Sequence, residues 1–149
     1  MHNNTPPIEI LIAEDEDTDA FFVTQAFGQA KIENNVHWAT DGQKIMDFLH
    51  RCGEYADAPR PHLIILDIKM PNKDGYEVLA EIKGDEALCD IPVIIMSASH
   101  SSEDIVKAYK HHANAYVPKA NGLENMMEFV NAIEQFWFMK ARLPQTERY

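Results

Sequence analysis

The sequence predicts an α/β fold in which helices cover both faces of one doubly wound, five-stranded parallel sheet. Five short apolar runs, rich in β-branched side chains, have the length and composition of strands that are buried on both faces. Stretches in which apolar residues recur with helical spacing separate these runs, and such alternation is typical of a parallel α/β sheet. The predicted strands are Ile8–Ala13, Val36–Ala39, Leu63–Leu66, Pro92–Met96 and Ala115–Val117.

Each predicted helix rests on apolar residues spaced three or four apart, which would line one face of the helix. Gly53 and Gly84 are placed to end the second and third helices. Ser101, with Asp104 three residues later, resembles a capping pair ahead of the fourth helix. The five stripes are Val23, Ala26, Phe27 and Ala30; Ile45, Phe48, Leu49 and Cys52; Val78, Leu79 and Ile82; Ile105, Val106 and Tyr109; and Met126, Phe129, Val130, Ile133 and Phe136 or Trp137.

The length of 149 residues suits one domain, which we expect to span residues 8–139, between a flexible N-terminus (1–7) and a C-terminal tail (140–149). The net charge of −11 disfavours binding to nucleic acid or to an anionic membrane, because both need basic patches. The apolar runs are too short to span a bilayer, the N-terminus does not resemble a signal peptide, and the two cysteines lack metal-binding spacing. We therefore expect a cytoplasmic protein whose output is a protein contact.

Polar side chains follow four of the predicted strands. Glu14 and Asp15 follow the first strand, Asp67 the third and Ser97 the fourth, and Lys119 lies near the end of the fifth. The carboxyl ends of parallel strands meet at one edge of a sheet, where α/β proteins bind their ligands, so these side chains should share one site. Neighbouring carboxylates repel one another unless a cation lies among them, and their hard oxygens favour Mg²⁺.

A magnesium site with one ammonium and one hydroxyl suits phosphoryl transfer, which mainly needs positioning and charge neutralisation. Because a carboxylate can act as the nucleophile, we predict that Asp67 is phosphorylated, that Lys119 balances charge and that Ser97 donates to a phosphoryl oxygen. Each residue taken alone could instead be a turn, capping or surface residue, and Glu16 and Asp17 are interpreted as capping side chains on a solvated face.

Four segments carry a recognisable pattern in a fixed order. They are Ile10–Asp15, Asp67–Gly75 with its D-x-x-M-P-x-x-D-G string, Met96–Ala98 and Tyr116–Lys119. Together they resemble the receiver domain of two-component response regulators, over nearly the whole chain. The resemblance implies a flavodoxin-like sheet of the receiver type, with strand order 2-1-3-4-5. It also implies a switch in which an aspartyl phosphate reshapes the face formed by the fourth helix, fifth strand and fifth helix.

The resemblance implies a role for each matching residue. Asp67 corresponds to the phosphoacceptor, and Glu14, Asp15, Asp67 and the backbone carbonyl of Lys69 to the ligands of Mg²⁺, with Mn²⁺ as an alternative ion. Ser97, Ala98, Lys119 and Tyr116 correspond to phosphate-binding and switch residues, and Lys69 and Ser99 to positions that tune the lifetime of the phosphoryl group. The implied partners are a sensor histidine kinase or a histidine phosphotransfer protein, and a downstream protein target.

A narrower resemblance links the chain to the small regulators associated with bacterial and cyanobacterial phytochromes. It rests on Gly53–Pro61 and on Phe136-Trp137 followed by Leu143-Pro144, and it implies a phytochrome-type kinase as partner. The chain departs from the wider family in two places. Most receivers carry a cis-proline after the lysine, whereas Ala120 follows Lys119 here, so we expect a trans peptide. Glu14 stands where aspartate is commoner.

Three other functions stay open at this point. An aspartate-nucleophile phosphatase or phosphotransferase would carry a second aspartate two residues after the nucleophile, where this chain has Lys69. A flavodoxin-like electron carrier would need a Ser/Thr-rich phosphate loop after the first strand, and this loop is acidic. A degenerate receiver would take no phosphate, although all the expected residue types are present. We expect a signalling switch rather than an enzyme.

The end of the last helix is apolar nearly all round, because Phe136, Trp137 and Phe138 follow one another. Such a helix end suggests a partner surface, and with Tyr109 and Tyr116 these rings form the expected face for a homodimer or another protein. The alternative is that Leu143-Pro144 folds back and covers the rings within one subunit.

Overall fold

The computed structural model describes residues 6–119 and 121–144. The strands are β1 (Ile8–Ala13), β2 (Asn34–Ala39), β3 (Leu63–Leu66), β4 (Val93–Ser97) and β5 (Ala115–Pro118). The helices are α1 (Asp17–Gly28), α2 (Gly42–His50), α3 (Gly75–Gly84), α4 (Ser102–Lys110) and α5 (Gly122–Ile133), with a 3₁₀ turn at Gly53–Tyr55 and a π-helical turn at Glu134–Phe138. The strands pair in parallel in the order β2-β1-β3-β4-β5, which confirms the predicted sheet.

Successive side chains of the central strands enter two separate cores, one on each face of the sheet. Ile10 and Ile12 of β1 pack beneath α1 and α5, while Leu11 and Ala13 pack beneath α2 and α3. Strands β3 and β4 alternate in the same way, and all nine of their residues are buried. Since apolar side chains cover both faces, the polar residues just beyond the strands are left at one edge of the sheet.

Helices α1, α2 and α4 differ from their predicted patterns. Helix α1 ends at Gly28, so Ala30 of its predicted stripe lies beyond the helix. Helix α2 ends at His50 because Arg51 adopts a left-handed conformation (φ 57°), so Cys52 lies outside the helix and is exposed. The capping pair of α4 is confirmed, since the Ser101 side chain accepts the backbone N–H of Asp104 at 3.0 Å. The apolar stripe predicted for α4 is wrong, because Val106 and Tyr109 are exposed and Ala108 is its buried residue.

Helix α5 continues directly into the π-helical turn, which changes the register of its last side chains. Met126 to Ile133 form the buried stripe as predicted. Beyond them Glu134 is buried, and Phe136 is 56% exposed. Trp137 and Phe138 are partly buried against the core beneath α1 and α5, so the expected partner face is smaller than the sequence indicated.

The predicted domain limits remain a prediction. Residues 1–5 of the expected flexible segment and residues 145–149 of the expected tail lie outside the described part of the chain, as does Ala120. The geometry of the peptide bond after Lys119 is therefore also outside it. In the described ranges, no helix combines the length and apolar character needed to cross a membrane.

Candidate functional site

Asp67 lies directly after β3, at the carboxyl edge of the sheet. Its backbone N–H donates to the carbonyl of Ala13 at 3.1 Å, which extends the pairing of β3 with β1 by one residue. The side chain is largely buried, and its Oδ1 accepts the backbone N–H of Lys69 at 3.3 Å. Strand pairing therefore holds the Asp67 backbone on a rigid element.

The loop after Asp67 folds back tightly to start α3. The N–H of Gly75 donates to the carbonyl of Ile68 at 2.7 Å, and Asn72 adopts a left-handed conformation (φ 68°). Asp74 caps α3 through a capping box with Glu77, in which each side chain accepts the other residue's backbone N–H. The D-x-x-M-P-x-x-D-G string thus encodes a strand end, a turn, a helix cap and a glycine.

Three carboxylates, including that of Asp67, form an acidic pocket. Glu14, Asp15 and Asp67 each place one oxygen so that the three oxygens lie within 4.8 Å of one another. Glu14 is fully buried, and its Oε2 has no hydrogen-bond partner among residues 6–119 and 121–144. Burial raises the pKa of Glu14 to about 8; the hydrogen bond from Lys119 opposes this rise, and the charge of Asp67 adds to it. A buried carboxylate oxygen with no donor fits a pocket that holds a divalent cation.

Lys119 brings its ammonium into the same pocket. Its Nζ lies 2.7 Å from Glu14 Oε1, 3.0 Å from Asp19 Oδ2 and 3.2 Å from Asp67 Oδ2. Its backbone N–H donates to the Ser97 carbonyl at 2.8 Å. Burial alone would lower the pKa of Lys119, but the hydrogen bonds to Glu14 and Asp19 and the charge of Asp67 raise it above the ordinary 10.5. The side chain therefore stays charged.

Ser97 and the loop after β4 complete the pocket. Ser97 is buried, and its Oγ accepts the backbone N–H of Ser99 at 3.1 Å. Tyr116 on β5 is half-buried, and its hydroxyl donates to the Ser99 carbonyl at 2.9 Å. The structure thus connects the predicted switch hydroxyl with the predicted switch aromatic through Ser99.

One cavity of about 140 Å³ collects most of the predicted site. Lys69, Ala98 and Ser99 line it together with the charged residues and Ser97, whereas Tyr116 lies behind it, next to Ser99. The residues lining the cavity are Asp15, Glu16, Asp67, Lys69, Ser97, Ala98, Ser99 and Lys119. Asp67 thus has room beside it for a small anionic group, with an ammonium and a hydroxyl at the walls.

The prediction that Glu16 is a capping side chain is wrong, because Glu16 directly precedes α1, makes no side-chain capping hydrogen bond to that helix and lines the cavity. Sequence reasoning also missed two acidic residues. Asp19 binds Lys119, and the only signal for it was its position in the first turn of α1. Asp104 accepts hydrogen bonds from the Ser99 hydroxyl at 2.5 Å and from the Tyr76 hydroxyl at 3.0 Å. The hydrogen bond from Ser99 is the main reason that the pKa of Asp104 lies below its ordinary 3.8, and Tyr76 adds to the effect.

The residues of the expected partner face differ in how far they are exposed. Tyr109 is 49% exposed, and its hydroxyl accepts the backbone N–H of Tyr116 at 3.2 Å. Phe136 makes an edge contact with the half-buried Trp137, at a ring distance of 5.2 Å. Phe138 packs near Phe27 of α1, at a ring distance of 6.3 Å. Tyr109 and Phe136 are the two rings of this set that are exposed by more than a third.

Comparison with known proteins identifies a family and several relatives. The family described as "Response regulator receiver domain" matches residues 10–131. Response regulator Rcp1 of Synechocystis is 39% identical over 141 residues, covering 95% of this chain and 96% of Rcp1. The Mn²⁺-bound structure of Rcp1 superposes with a TM-score of 0.87, covering 93% of this chain and 100% of that one.

Two further solved structures are similar over most of their length. The phosphorylated cyanobacterial phytochrome response regulator RcpA is 39% identical with a TM-score of 0.89, covering 94% of this chain and 100% of that one. Response regulator RPA3017, in red light signaling of R. palustris, is 32% identical with a TM-score of 0.86, covering 93% of this chain and 99% of that one. The similarity in fold therefore extends over most of the chain.

Proposed function

The chain belongs to the family of response regulator receiver domains, and we propose that it works by accepting a phosphoryl group on Asp67. The observation that carries this assignment is the pocket itself. A largely buried carboxylate lies 3.2 Å from an ammonium, beside two further carboxylates and a buried hydroxyl, and it faces a cavity of about 140 Å³. Proteins of this family are generally signalling switches and not enzymes, so the phosphorylated chain itself carries the signal.

Each residue of the pocket has its own role in the transfer of the phosphoryl group. A carboxylate oxygen of Asp67 attacks phosphorus and forms the new P–O bond, while the P–N bond to a donor phosphohistidine breaks and its electron pair leaves with the imidazole. The Lys119 ammonium faces the charge that accumulates on the phosphoryl oxygens. The Ser97 hydroxyl donates to one of those oxygens once they are in place.

Glu14, Asp15 and Asp67, with the Lys69 backbone carbonyl, are the residues that we propose hold a divalent cation. Their hard oxygens and the donor-free Oε2 of Glu14 suit Mg²⁺, and the Mn²⁺-bound form of Rcp1 supports Mn²⁺ as an alternative ion. When bound, such an ion neutralises charge on the transferring phosphoryl group. Burial restrains the carboxylate of Glu14, and the backbone N–H of Lys69 donates a hydrogen bond to Oδ1 of Asp67.

The partner assignments follow from the relatives. RcpA is described as a phytochrome response regulator and RPA3017 as acting in red light signaling, which supports a phytochrome-type histidine kinase as the phosphodonor. A histidine phosphotransfer protein is the alternative donor, and a protein target receives the signal. A cytoplasmic location stays a prediction. The phosphatase alternative is not favoured, because Lys69 occupies the position of its general acid.

The direct test is incubation with acetyl phosphate and Mg²⁺, followed by intact-mass measurement. We expect one phosphoryl group on the wild-type chain and none on Asp67→Asn. The matched control is Asp17→Asn, which changes an exposed aspartate outside the cavity and should accept phosphate normally. An adduct on Asp67→Asn would refute the assignment of the acceptor. Wild-type protein that binds Mg²⁺ but forms no adduct would instead be a degenerate receiver.

A further inference from the structure

Trp38 makes an unusual contact from the edge of the sheet. It lies on β2, which is an edge strand, and its side chain remains 41% exposed. Its indole N–H donates to the backbone carbonyl of Glu14 at 2.6 Å. Glu14 is the residue that follows β1 and lines the acidic pocket, so an edge-strand side chain reaches the backbone of the metal site.

The two hydrogen bonds to the Glu14 backbone both come from β2. The Glu14 N–H donates to the carbonyl of Ala39 at 3.1 Å, which continues the pairing of β1 with β2 by one residue. The backbone pairing of β1 with β2 ends at Glu14, and the indole N–H of Trp38 donates to the Glu14 carbonyl. The peptide that links Glu14 to Asp15 is therefore fixed just before the chain turns toward α1.

That peptide sets the direction of two of the three carboxylates in the pocket. Within the described part of the chain, the Glu14 carboxylate accepts hydrogen bonds from the Lys119 ammonium and, at 3.4 Å, from the backbone N–H of Glu16, both on Oε1. Its Oε2 has no partner there. Asp15 is exposed, so packing restrains its side chain little. Groups that orient metal ligands usually bind the ligand side chains, whereas here the restraint acts on the backbone between two ligands.

We infer that Trp38 is a positioning residue for the divalent-cation pocket, acting through its hydrogen bond to the Glu14 carbonyl. The inference rests on the proposed function, since it concerns the same pocket. Its competing explanation is that Trp38 only packs, because the ring also forms a wall of a groove of about 370 Å³ with Phe48 and Tyr55. The two explanations differ in whether the ring or its N–H matters.

Trp38→Phe separates them, because it keeps an aromatic ring at an exposed position and removes the donor. The matched control is Trp137→Phe, the same change at the other tryptophan of the chain, which packs against the core beneath α1 and α5. Calorimetric titration with Mg²⁺ and with Mn²⁺ gives the affinity of each variant, and thermal unfolding without metal checks the fold.

We expect Trp38→Phe to weaken Mg²⁺ binding by about three- to tenfold, as loss of one hydrogen bond that orients ligands would do, with unfolding little changed. Trp137→Phe should bind Mg²⁺ like the wild type. In the Trp137→Phe chain, Trp38 is the remaining tryptophan, so its emission should change on Mg²⁺ addition with the midpoint that calorimetry gives. The emission shows whether the surroundings of the indole change on metal binding, and the affinity of Trp38→Phe tests the N–H itself.

If Trp38→Phe does not fold, β-(3-benzothienyl)alanine at position 38 in the Trp137→Phe background keeps the bicyclic shape without the N–H. It should show the same weakening. Wild-type affinity in either donor-free variant overturns the inference, while Asp67 phosphorylation of the wild type would leave the proposed function intact. Wild-type protein that neither binds Mg²⁺ nor accepts phosphate would contradict the proposed function instead.

Discussion

Gly75→Ala should disturb both the fold and the phosphorylation site, because a methyl group at this position has no room. Gly75 is the buried first residue of α3 and lies against the backbone that leaves β3. A Cβ placed there would lie 2.6 Å from the Asp67 carbonyl oxygen, 2.6 Å from the Ile68 Cα and 3.1 Å from the Ile68 carbonyl oxygen. All three atoms belong to the backbone, so no side chain can rotate away.

The size of the destabilisation depends on how far the backbone must move to relieve the clash. Ordinary contact begins at 3.4 Å, so the chain around Asp67 must move by about 0.8 Å. Overpacking of this kind typically costs about 1–3 kcal/mol, and we expect the free energy of unfolding to fall by about 2–3 kcal/mol because the neighbours are backbone atoms. A misplacement approaching 1 Å at a reacting group should also slow phosphorylation by about tenfold or more.

Gly84→Ala is the matched control within the same helix. Gly84 is the last residue of α3, and a Cβ there would meet nothing within 4 Å. Alanine should stabilise the protein by about 0.5–1 kcal/mol, because glycine loses more conformational entropy on folding. Urea unfolding with an unchanged m-value and the rate of phosphorylation by acetyl phosphate measure both effects. A Gly75→Ala protein within about 0.5 kcal/mol of the wild type and phosphorylated at the normal rate would refute the steric reasoning.

Two pH dependences follow from the half-buried His62 and the buried Glu14. The Nδ1 of His62 accepts the N–H of Glu9 at 2.9 Å, and burial lowers the pKa of His62 below its ordinary 6.5, with partial opposition from the charge of Glu9. The unfolded chain therefore binds a proton at higher pH than the folded protein does. The free energy of unfolding, measured with urea, should fall as pH decreases below about 6.5. A His62→Gln protein whose free energy of unfolding depends on pH with the same slope would contradict this. Because burial raises the pKa of Glu14 to about 8, protons compete with the metal, and calorimetric Mg²⁺ affinity should rise up to about pH 8 and level off above it. An affinity that is flat over this range, or a slope that persists in Glu14→Gln, would show that Glu14 does not hold the proton.

The fold could be predicted where burial leaves a pattern in the sequence. β1 and β3 lie where the apolar runs indicated, because their side chains enter a core on both faces. The first residues of β2, Asn34 and Asn35, were missed, because an edge strand tolerates polar side chains there. Asn34 instead uses its amide to bind the carbonyls of Phe27 and Ile32, which is a tertiary detail that no periodicity reveals.

The end of α5 could be predicted only in part. A stripe spaced for an α-helix places Phe136 or Trp137 next in the core; Trp137 packs against that core and Phe136 is exposed, but the buried acid Glu134 was not predicted. The Glu134 carboxylate accepts the backbone N–H of Ile32 at 2.6 Å and so ties the end of α5 to the loop before β2. A buried acid can be inferred only when its partner is known, and that partner is a backbone group 102 residues away.

The same limit explains which site residues could be predicted. The structure brings Asp67, Ser97 and Lys119 together as predicted, because parallel topology alone collects strand ends at one edge. The contacts of Asp19 and Trp38 were not predicted, because they depend on the reach of one lysine and one indole across other elements. The residues that gather at the strand ends thus follow from topology, whereas the side chains that contact them follow from packing.

Charge explains why this pocket should depend on a divalent cation. The carboxylates of Glu14, Asp19 and Asp67 lie within 3.2 Å of the Lys119 ammonium, and the side chains of Asp15 and Glu16 line the cavity beside them. A proton on Glu14 relieves part of the excess negative charge, which agrees with its raised pKa. A phosphoryl group would add further negative charge to this pocket, so we expect phosphorylation of Asp67 to depend on a divalent cation.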